Sequence, residues 1–199
     1  MIPNHPDYLH YPPTERCKLH PNLLHTRTIL LSDLIERAVQ ASLPCIEQRQ
    51  QQLQLNQSLS ALLVMGNLDW LTQLLFNLLT NASKYTPDRG HIVITVLQKG
   101  DAVQVLIADD GAGIPPALHL AIFDRSAHGF RARNLGPGKP GNGLALAMLI
   151  VEMHGGTLAV RSEGDGRGSE FTVSLPLLDR PRQAFCHGQA AHDALPLIA

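Results

Sequence analysis

A helical segment that is apolar around most of its circumference constrains the fold of this chain most strongly. The apolar positions cover most of that surface, and they are Leu71, Leu74, Leu75, Leu78, Leu79 and Ala82. A helix of this kind has to be packed inside a core. At 199 residues, of which 44% are hydrophobic, the chain is long enough to bury one such core and to leave tails outside it.

One stripe of the same helix is polar. Asn77, Asn81, Lys84 and Tyr85 lie at positions i, i+4, i+7 and i+8, which places them within roughly 100° of arc at about 3.6 residues per turn. Buried amides require hydrogen-bond partners, so the stripe either faces a polar ligand or forms the polar edge of a core helix. The helix alone does not decide between these interpretations.

A second polar motif follows a predicted strand. Residues 103–108 are aliphatic and β-branched, which is typical of a buried strand, and the run Asp-Asp-Gly-Ala-Gly-Ile begins directly after them at Asp109. Asp109 can accept a hydrogen bond from an amine, while Gly111 and Gly113 allow positive φ angles and close approach of the main chain to a ligand. An ordinary strand-to-loop turn uses the same residue types.

Two glycine-containing motifs complete the pattern. Gly141 and Gly143 come before an apolar run that ends at the paired glycines 155–156, as in a glycine-rich loop that opens a helix. The free N–H groups at a helix N-terminus suit phosphate oxygens, although a simple glycine-rich helix start has the same sequence. Residues 168–176 alternate as a strand does, and plain sheet structure is sufficient to explain them.

In this order and at this spacing, the four motifs resemble the N, G1, G2 and terminal glycine boxes of the ATP-binding catalytic domain of bacterial sensor histidine kinases. That superfamily also holds gyrase, the MutL repair proteins and a heat-shock chaperone. The resemblance covers about residues 26–178. It implies an α/β (α+β) two-layer sandwich, in which a mixed, largely antiparallel sheet packs against three helices, with a flexible ATP lid. Residues 1–25 are then expected to form a proline-rich N-terminal tail and residues 179–199 a loose C-terminal tail.

The resemblance implies roles for the matching residues. Asn81 would coordinate Mg²⁺ through its amide oxygen and Lys84 would meet a phosphate, which makes these two the predicted catalytic residues. Asp109 would accept the adenine amino hydrogen and so discriminate against guanine. The other predicted nucleotide contacts are Asn77, Tyr85, Gly111, Gly113, Ile114, Phe123, Gly141, Gly143, Leu144 and Ser169.

The segment between the second and third motifs is predicted to be a long surface loop. Its glycines, prolines and lack of apolar periodicity are typical of a functional loop, and its basic character suits a lid that gains order when phosphates arrive. Phe123 and Phe130 resemble the anchoring aromatics of the family's F box. Ala145 stands where the family commonly has glycine, and Asp110 adds a negative charge near the pocket where asparagine is frequent. Neither change removes a predicted ligand, so ATP binding is expected to persist.

The predicted reaction is transfer of the ATP γ-phosphoryl group to a histidine. In the gyrase and anti-sigma branches a glutamate base commonly lies one helical turn before the magnesium asparagine, and here that position is Asn77. A neutral imidazole needs orientation more than deprotonation, so it can accept phosphate without such a base. The alternatives are an anti-sigma-type serine kinase, an ATP-binding pseudokinase or sensor module without transfer activity, and a free-standing ATPase.

The acceptor histidine is expected to lie on another domain. The family's phosphorylated histidine sits on a helical hairpin, whereas His5, His10, His20 and His25 lie among prolines that are incompatible with a continuous helix. The expected partners are therefore ATP, a histidine-containing dimerisation domain in a longer protein or in trans, and a downstream response regulator.

Composition excludes several other classes of protein. A net charge of −1 and a pI near 6.8 give no electrostatic case for nucleic acid binding. No run approaches about 18 apolar residues, so no direct membrane insertion is expected. The three cysteines form no Cys-x-x-Cys pair, which favours a reducing cytoplasm.

Periodicity predicts the remaining elements. They are a strand at Thr26–Leu30, a helix that Ser32 caps and that runs to about Gln51, a strand containing Leu53 and Leu55, a strand at Leu62–Met65, and a hairpin of His91–Gln98 with Ala102–Ala108.

Overall fold

A computed structural model describes residues 9–10, 25–57, 61–119, 121–123 and 143–178. Within these ranges the strands are β1 (Leu9–His10), β2 (Arg27–Leu30), β3 (Gln52–Gln57), β4 (Leu63–Gly66), β5 (His91–Lys99), β6 (Ala102–Asp109), β7 (Thr157–Arg161) and β8 (Ser169–Pro176). The α-helices are α1 (Leu31–Gln48), α2 (Leu68–Tyr85) and α3 (Gly143–Met153), and short 3₁₀ helices cover Pro116–Leu118 and Ala121–Phe123.

The main sheet is mixed and largely antiparallel. Its strand order is β1-β7-β8-β6-β5-β3, and only the β3–β5 pair is parallel. Strands β2 and β4 form a separate antiparallel pair. The three α-helices and this sheet confirm the predicted two-layer α/β architecture. β1 belongs to the segment predicted to be the N-terminal tail, and it pairs with β7.

Helix α2 lies in the centre of the hydrophobic core, as its sequence predicts. Leu71, Leu74 and Leu78 are wholly buried, and α2 packs against both α1 and α3. Asn67 caps the helix, because its side-chain oxygen accepts hydrogen bonds from the backbone N–H groups of Asp69 and Trp70. The apolar side chains of α2 are therefore buried in the core, as the sequence predicts, and the residues of the polar stripe are exposed or half-buried.

The prediction that Ser32 caps the first helix is wrong. Helix α1 begins at Leu31, and its N-cap residue, Leu30, makes no side-chain cap hydrogen bond. Strand β2 runs directly into the helix, and the backbone N–H of Leu31 bonds instead to the carbonyl of Leu62 beside it. Because a neighbouring chain segment satisfies this donor, the serine is not needed there. Helix α1 ends at Gln48, three residues before the predicted end at about Gln51. Strand β7 is absent from the elements that the sequence predicts.

A buried glutamine holds the C-terminal end of α2. Gln51, which is only 8% exposed, donates from its side-chain amide to the carbonyls of Ser83 and Thr86 at 2.9 and 3.0 Å, and it accepts a 2.7 Å bond from the Ser83 hydroxyl. Arg49 donates to the carbonyl of Lys84 at 2.9 Å. These donors satisfy carbonyls that have no partner within the helix. The position of the last turn of α2, which carries Lys84 and Tyr85, is thereby fixed.

His154 joins the end of α3 to the start of α2. Its Nδ1 lies 2.7 Å from the carbonyl oxygen of Ile150, and its Nε2 lies 3.1 Å from the backbone nitrogen of Asn67. A carbonyl only accepts and a backbone N–H only donates, so the ring must be neutral and must carry its proton on Nδ1. Burial lowers the pKa of His154, although the bond to Ile150 works in the opposite direction.

We expect protonation of His154 to destabilise the domain at mildly acidic pH. Because the folded pKa lies below the ordinary value of 6.5, the unfolded chain binds more protons, so stability is complete above that value and falls as the pH drops below it. One proton limits the effect to about 1.4 kcal/mol per pH unit. In chemical denaturation from about pH 7.5 to about pH 5.5, the stability advantage of the wild-type protein over His154→Gln should shrink. Parallel stability curves would contradict this role.

Candidate functional site

The end of α2 contacts the loop that follows β6. The backbone N–H of Ala112 donates to the carbonyl of Tyr85 at 3.0 Å, and a methyl group on Gly111 would collide with the same oxygen. The polar stripe of α2 and the glycine motif after β6 are therefore neighbours in space. The sequence predicts each motif separately, and the structure brings them together.

Asp109 ends β6 as a partly buried carboxylate. Its Oδ2 accepts a 2.6 Å hydrogen bond from the hydroxyl of Ser169, and its Oδ1 accepts a 2.9 Å bond from the backbone N–H of Gly111. Burial raises the pKa of Asp109 above its ordinary value, and the hydrogen bonds from Ser169 and Gly111 offset only part of that increase. Each carboxylate oxygen has two acceptor positions, so Asp109 can still receive a donor from a ligand.

The two glycines of the motif serve different purposes. Gly113 has a φ of +72°, which confirms the predicted positive angle, and a Cβ there would collide with the carbonyl of Gly164. Gly111 does not have a positive φ, and at this position the absence of a side chain permits the close approach of Tyr85. The loop is thus held between α2 and the β7–β8 connection.

The β7–β8 connection also shapes the site, and one of its residues, Ser162, was missed by the sequence analysis. Ser162 accepts a 2.9 Å hydrogen bond from the N–H of Ile114 and donates a 2.7 Å bond to the carbonyl of Gly168. Gly168 has a φ of +67°, and a Cβ on it would collide with the carbonyl of Asp109. A serine in a polar turn carries no periodic signal, so only the tertiary structure reveals these contacts.

Asn77 links α2 to the first residue of α3. Its side-chain Nδ2 donates to the carbonyl of Gly143 at 3.2 Å, and its Oδ1 accepts a 2.7 Å hydrogen bond from Gln73. Leu144 and Ala145 follow in the first turn of α3 and are only 9% and 6% exposed. Ala145, which stands where the resembling family commonly has glycine, is therefore buried in the protein.

Asn81 lies one helical turn after Asn77 and is half-buried. Its side-chain amide makes no hydrogen bond to the residues that the structure describes. Lys84 and Tyr85 are exposed, and the Lys84 ammonium lies 5.1 Å from the centre of the Tyr85 ring. A half-buried amide without a protein partner is suited to a ligand. This end of the stripe is therefore its most available part.

The polar stripe of α2 can hold an oxygen-coordinated divalent ion only together with a ligand that completes the coordination shell of the ion. In the described part of the chain, no group of three or more histidine, cysteine, aspartate and glutamate side chains could hold a metal. The free amide oxygen of Asn81 is a donor of the type that Mg²⁺ accepts, and phosphate oxygens and waters would have to supply the rest.

The negative charge that Asp110 adds is directed away from this junction. Its carboxylate accepts 2.8 Å hydrogen bonds from both the backbone N–H and the ring Nδ1 of His91, at the start of β5. Burial tends to raise the pKa of Asp110, but the hydrogen bonds from His91 outweigh this effect and the pKa is lowered. Asp110 thus holds the loop that follows β6 against the start of β5.

Several predicted nucleotide contacts are core residues or lie outside the described ranges. Phe123 is buried edge-on against Phe171, with ring centres 6.4 Å apart, and Ile114 is half-buried against the core. Direct contact of Ile114, Phe123 and Leu144 with a nucleotide stays a prediction. Gly141, Phe130 and most of the predicted lid belong to the residues that the structure does not describe.

Among the described residues, no helix has both the length and the apolar character that a membrane span requires.

Comparisons with known proteins agree on one family. The model of the family described as histidine kinase-, DNA gyrase B-, and HSP90-like ATPase matches residues 66–179. The chain is 35% identical over 132 residues to the sensor-like histidine kinase SenX3 of Mycobacterium tuberculosis, and 36% identical over 110 residues to the sensor histidine kinase WalK of Bacillus subtilis. These alignments cover 63% and 54% of this chain, but only 32% and 18% of the two relatives. The chain thus spans about a third or less of their length.

Solved structures show the same fold. The catalytic domain of histidine kinase ThkA superposes with a TM-score of 0.65 at 24% identity, covering 76% of this chain and 97% of that domain. A mycobacterial sensor histidine kinase, MprB, superposes with a TM-score of 0.64 at 24% identity, covering 77% and 99% of the two chains. Both matches support the two-layer arrangement described above.

Proposed function

This chain belongs to the family of histidine kinase-, DNA gyrase B- and HSP90-like ATPases, and from that premise we propose that residues 26–178 bind Mg–ATP as the catalytic domain of a two-component sensor histidine kinase. The observation that carries the proposal is the junction between the end of α2 and the loop after β6, where Ala112 bonds to Tyr85. This contact supports the proposal because it holds the last turn of α2, which follows Asn81, against the loop that follows Asp109.

In the proposed complex each polar group has a separate task. Asn81 supplies an amide oxygen to Mg²⁺, and Lys84 contributes a positive charge to the phosphates. Asp109, already held by Ser169 and Gly111, accepts the adenine amino group. The metal, when bound, neutralises phosphate charge and so assists phosphoryl transfer. Asn77 orders the start of α3 through Gly143.

The proposed acceptor is a histidine of a dimerisation domain, in a longer protein or in trans, and the proposed receiver of the phosphate is a response regulator. The names of the relatives, which are sensor histidine kinases, support this assignment. So does the chemistry of residue 77, because its amide is bonded to Gln73 and Gly143 and offers no carboxylate base. The proposed compartment is the cytoplasm, in keeping with the free, exposed thiol of Cys45.

Incubation with labelled ATP, Mg²⁺ and the isolated dimerisation hairpin of a related kinase tests the proposal. We expect acid-labile phosphate on the hairpin, and we expect Asn81→Ala to reduce its formation by about 100-fold or more, because a direct charge-stabilising contact is lost. Asn56→Ala, which removes an exposed asparagine of β3, is the matched control and should transfer at the wild-type rate.

Other outcomes identify the alternatives. Acid-stable phosphate as the sole product would indicate a serine kinase, and release of phosphate without a labelled protein would indicate an ATPase. Calorimetric binding of a non-hydrolysable ATP analogue without any transfer would indicate a pseudokinase. Each of these results would overturn histidine phosphorylation as the function of the domain.

A further inference from the structure

Three groups form a continuous line of hydrogen bonds from the middle of α2 to the start of α3. The Gln73 side-chain amide bonds to the Asn77 side chain at 2.7 Å, and the Asn77 side chain bonds to the carbonyl of Gly143 at 3.2 Å. We call this line the amide relay. Its members are half-buried, so water competes with these bonds less than it does on an open surface.

The direction of every bond in the amide relay follows from its last member. The carbonyl of Gly143 can only accept, so the Asn77 atom that faces it must be the Nδ2 donor. The Oδ1 of Asn77 then faces Gln73, which must present its own Nε2 donor. Gln73 therefore determines the orientation of the Asn77 amide, with its oxygen toward Gln73 and its nitrogen toward Gly143. A residue without a donor at position 73 would remove that constraint.

The relay has a consequence beyond the stability of α2. Glutamine and asparagine four residues apart commonly stabilise a helix by a small amount, and that local effect would be complete without Gly143. Here the second bond reaches a residue 66 positions further along the chain, where a Cβ would be in ordinary van der Waals contact with the Asn77 Cγ, at 3.8 Å. Gly143 is the first residue of α3, and the first N–H groups of a helix have no partner within it.

We propose that Gln73 is a positioning residue for the nucleotide site, because it orients the Asn77 amide that holds the first turn of α3 against α2. The inference rests on the proposed function, and it adds to the proposed ATP site the N–H groups of that turn, which the sequence predicts to suit phosphate oxygens. Gln73 itself touches no ligand in this scheme. It acts by keeping the start of α3 in place before the nucleotide arrives, which reduces the ordering that binding requires.

Two substitutions of Gln73 separate positioning from simple helix stabilisation. Gln73→Met keeps the length and helix propensity of the side chain but removes the donor. Gln73→Glu keeps a hydrogen bond to Asn77 but reverses its direction, so the Asn77 oxygen is turned toward the Gly143 carbonyl and that contact is lost. Gln40→Met, at an exposed glutamine of α1, is the matched control.

Hydrogen exchange of the nucleotide-free chain is the first measurement. The amide of Ala147 bonds to the Gly143 carbonyl in the regular helical pattern, so its exchange reports on the anchored turn. We expect Ala147 and the next amides of α3 to exchange about fivefold to tenfold faster in both Gln73 variants, with the end of α3 unchanged. Unchanged exchange in Gln73→Glu, or equal acceleration in Gln40→Met, would overturn the proposal.

Nucleotide binding is the second measurement. For the uncharged Gln73→Met variant, we expect the Kd of a magnesium-bound non-hydrolysable ATP analogue to rise about fivefold, while the Kd of adenosine, which lacks phosphates, stays the same. An equal change for both ligands would overturn the positioning role. If the wild-type chain binds neither ligand, the proposed function fails, and the exchange measurement still decides whether Gln73 anchors α3.

Discussion

Replacement of Asp109 by asparagine is expected to weaken ATP binding by about 10- to 100-fold and to shift the preference toward GTP. A carboxylate at this position can only accept hydrogen bonds, which suits the amino group of adenine and repels the carbonyl oxygen of guanine. Asparagine of the same shape offers a weaker, uncharged acceptor to adenine and a donor to guanine. The substituted side chain should keep its place, because its amide oxygen can still accept from the N–H of Gly111 and its NH2 group can donate to the hydroxyl of Ser169, which accepts as well as donates.

Calorimetry with non-hydrolysable ATP and GTP analogues measures both parts of this prediction. Asp101→Asn makes the same chemical change in the turn between β5 and β6, where the side chain is exposed, and it should leave both affinities unaltered. Equal losses of affinity for ATP and GTP in Asp109→Asn would mean that residue 109 supports the loop but does not bind the base. Wild-type affinity for ATP in this variant would remove Asp109 from the site.

The sequence predicts those parts of the fold that depend on local periodicity. The apolar circumference of α2 and the alternation of β5, β6 and β8 each carry their own signal, and all are confirmed within a few residues. The glycine motif after β6 can also be predicted, because two glycines at alternate positions directly after a strand indicate a turn that needs positive φ or close approach of the main chain. These features can be predicted without knowing which segments pack against them in the core.

Gln51 shows where such reasoning ends. It stands in a run of glutamines that has the composition of a polar linker, yet it is buried and bonded to the end of α2. Nothing in the local pattern distinguishes Gln51 from its neighbour Gln52, which is exposed at the start of β3. The difference arises because the carbonyls at the end of α2 need donors, and that need exists only when the two segments meet.

In the candidate site, too, features with a local sequence signal can be predicted, whereas contacts between distant segments cannot. Asp109, Asn77 and Asn81 can be predicted as polar residues in constrained positions, but the hydrogen bonds that orient Asp109 and Asn77 cannot. Ser162 has no periodic signal, and His154 reaches a residue 87 positions away. Contacts between distant segments depend on the register of whole strands and helices, so the sequence predicts the candidate site residues themselves but not the residues that support them.

Replacement of Gly168 by alanine is expected to cause a large loss of stability. Gly168 has a φ of +67°, and an added Cβ would collide with the backbone carbonyl of Asp109 across the β6–β8 pair. The backbone angle alone costs about 1–2 kcal/mol for alanine. Since a backbone atom cannot move aside as a flexible side chain can, the total loss should be roughly 3 kcal/mol or more.

Gly166→Ala isolates the two contributions, because it shares the backbone angle without the collision. Gly166 has a φ of +72°, and nothing lies within 4 Å of the position that its Cβ would take. We therefore expect Gly166→Ala to lower the free energy of unfolding by about 1–2 kcal/mol in urea denaturation and to leave ATP affinity intact. Gly168→Ala should lose at least about 2 kcal/mol more and should also weaken ATP binding, because the strain is released by moving Asp109. Equal destabilisation of the two variants would show that the carbonyl of Asp109 yields without cost, and the close packing inferred for this side of the site would then be wrong.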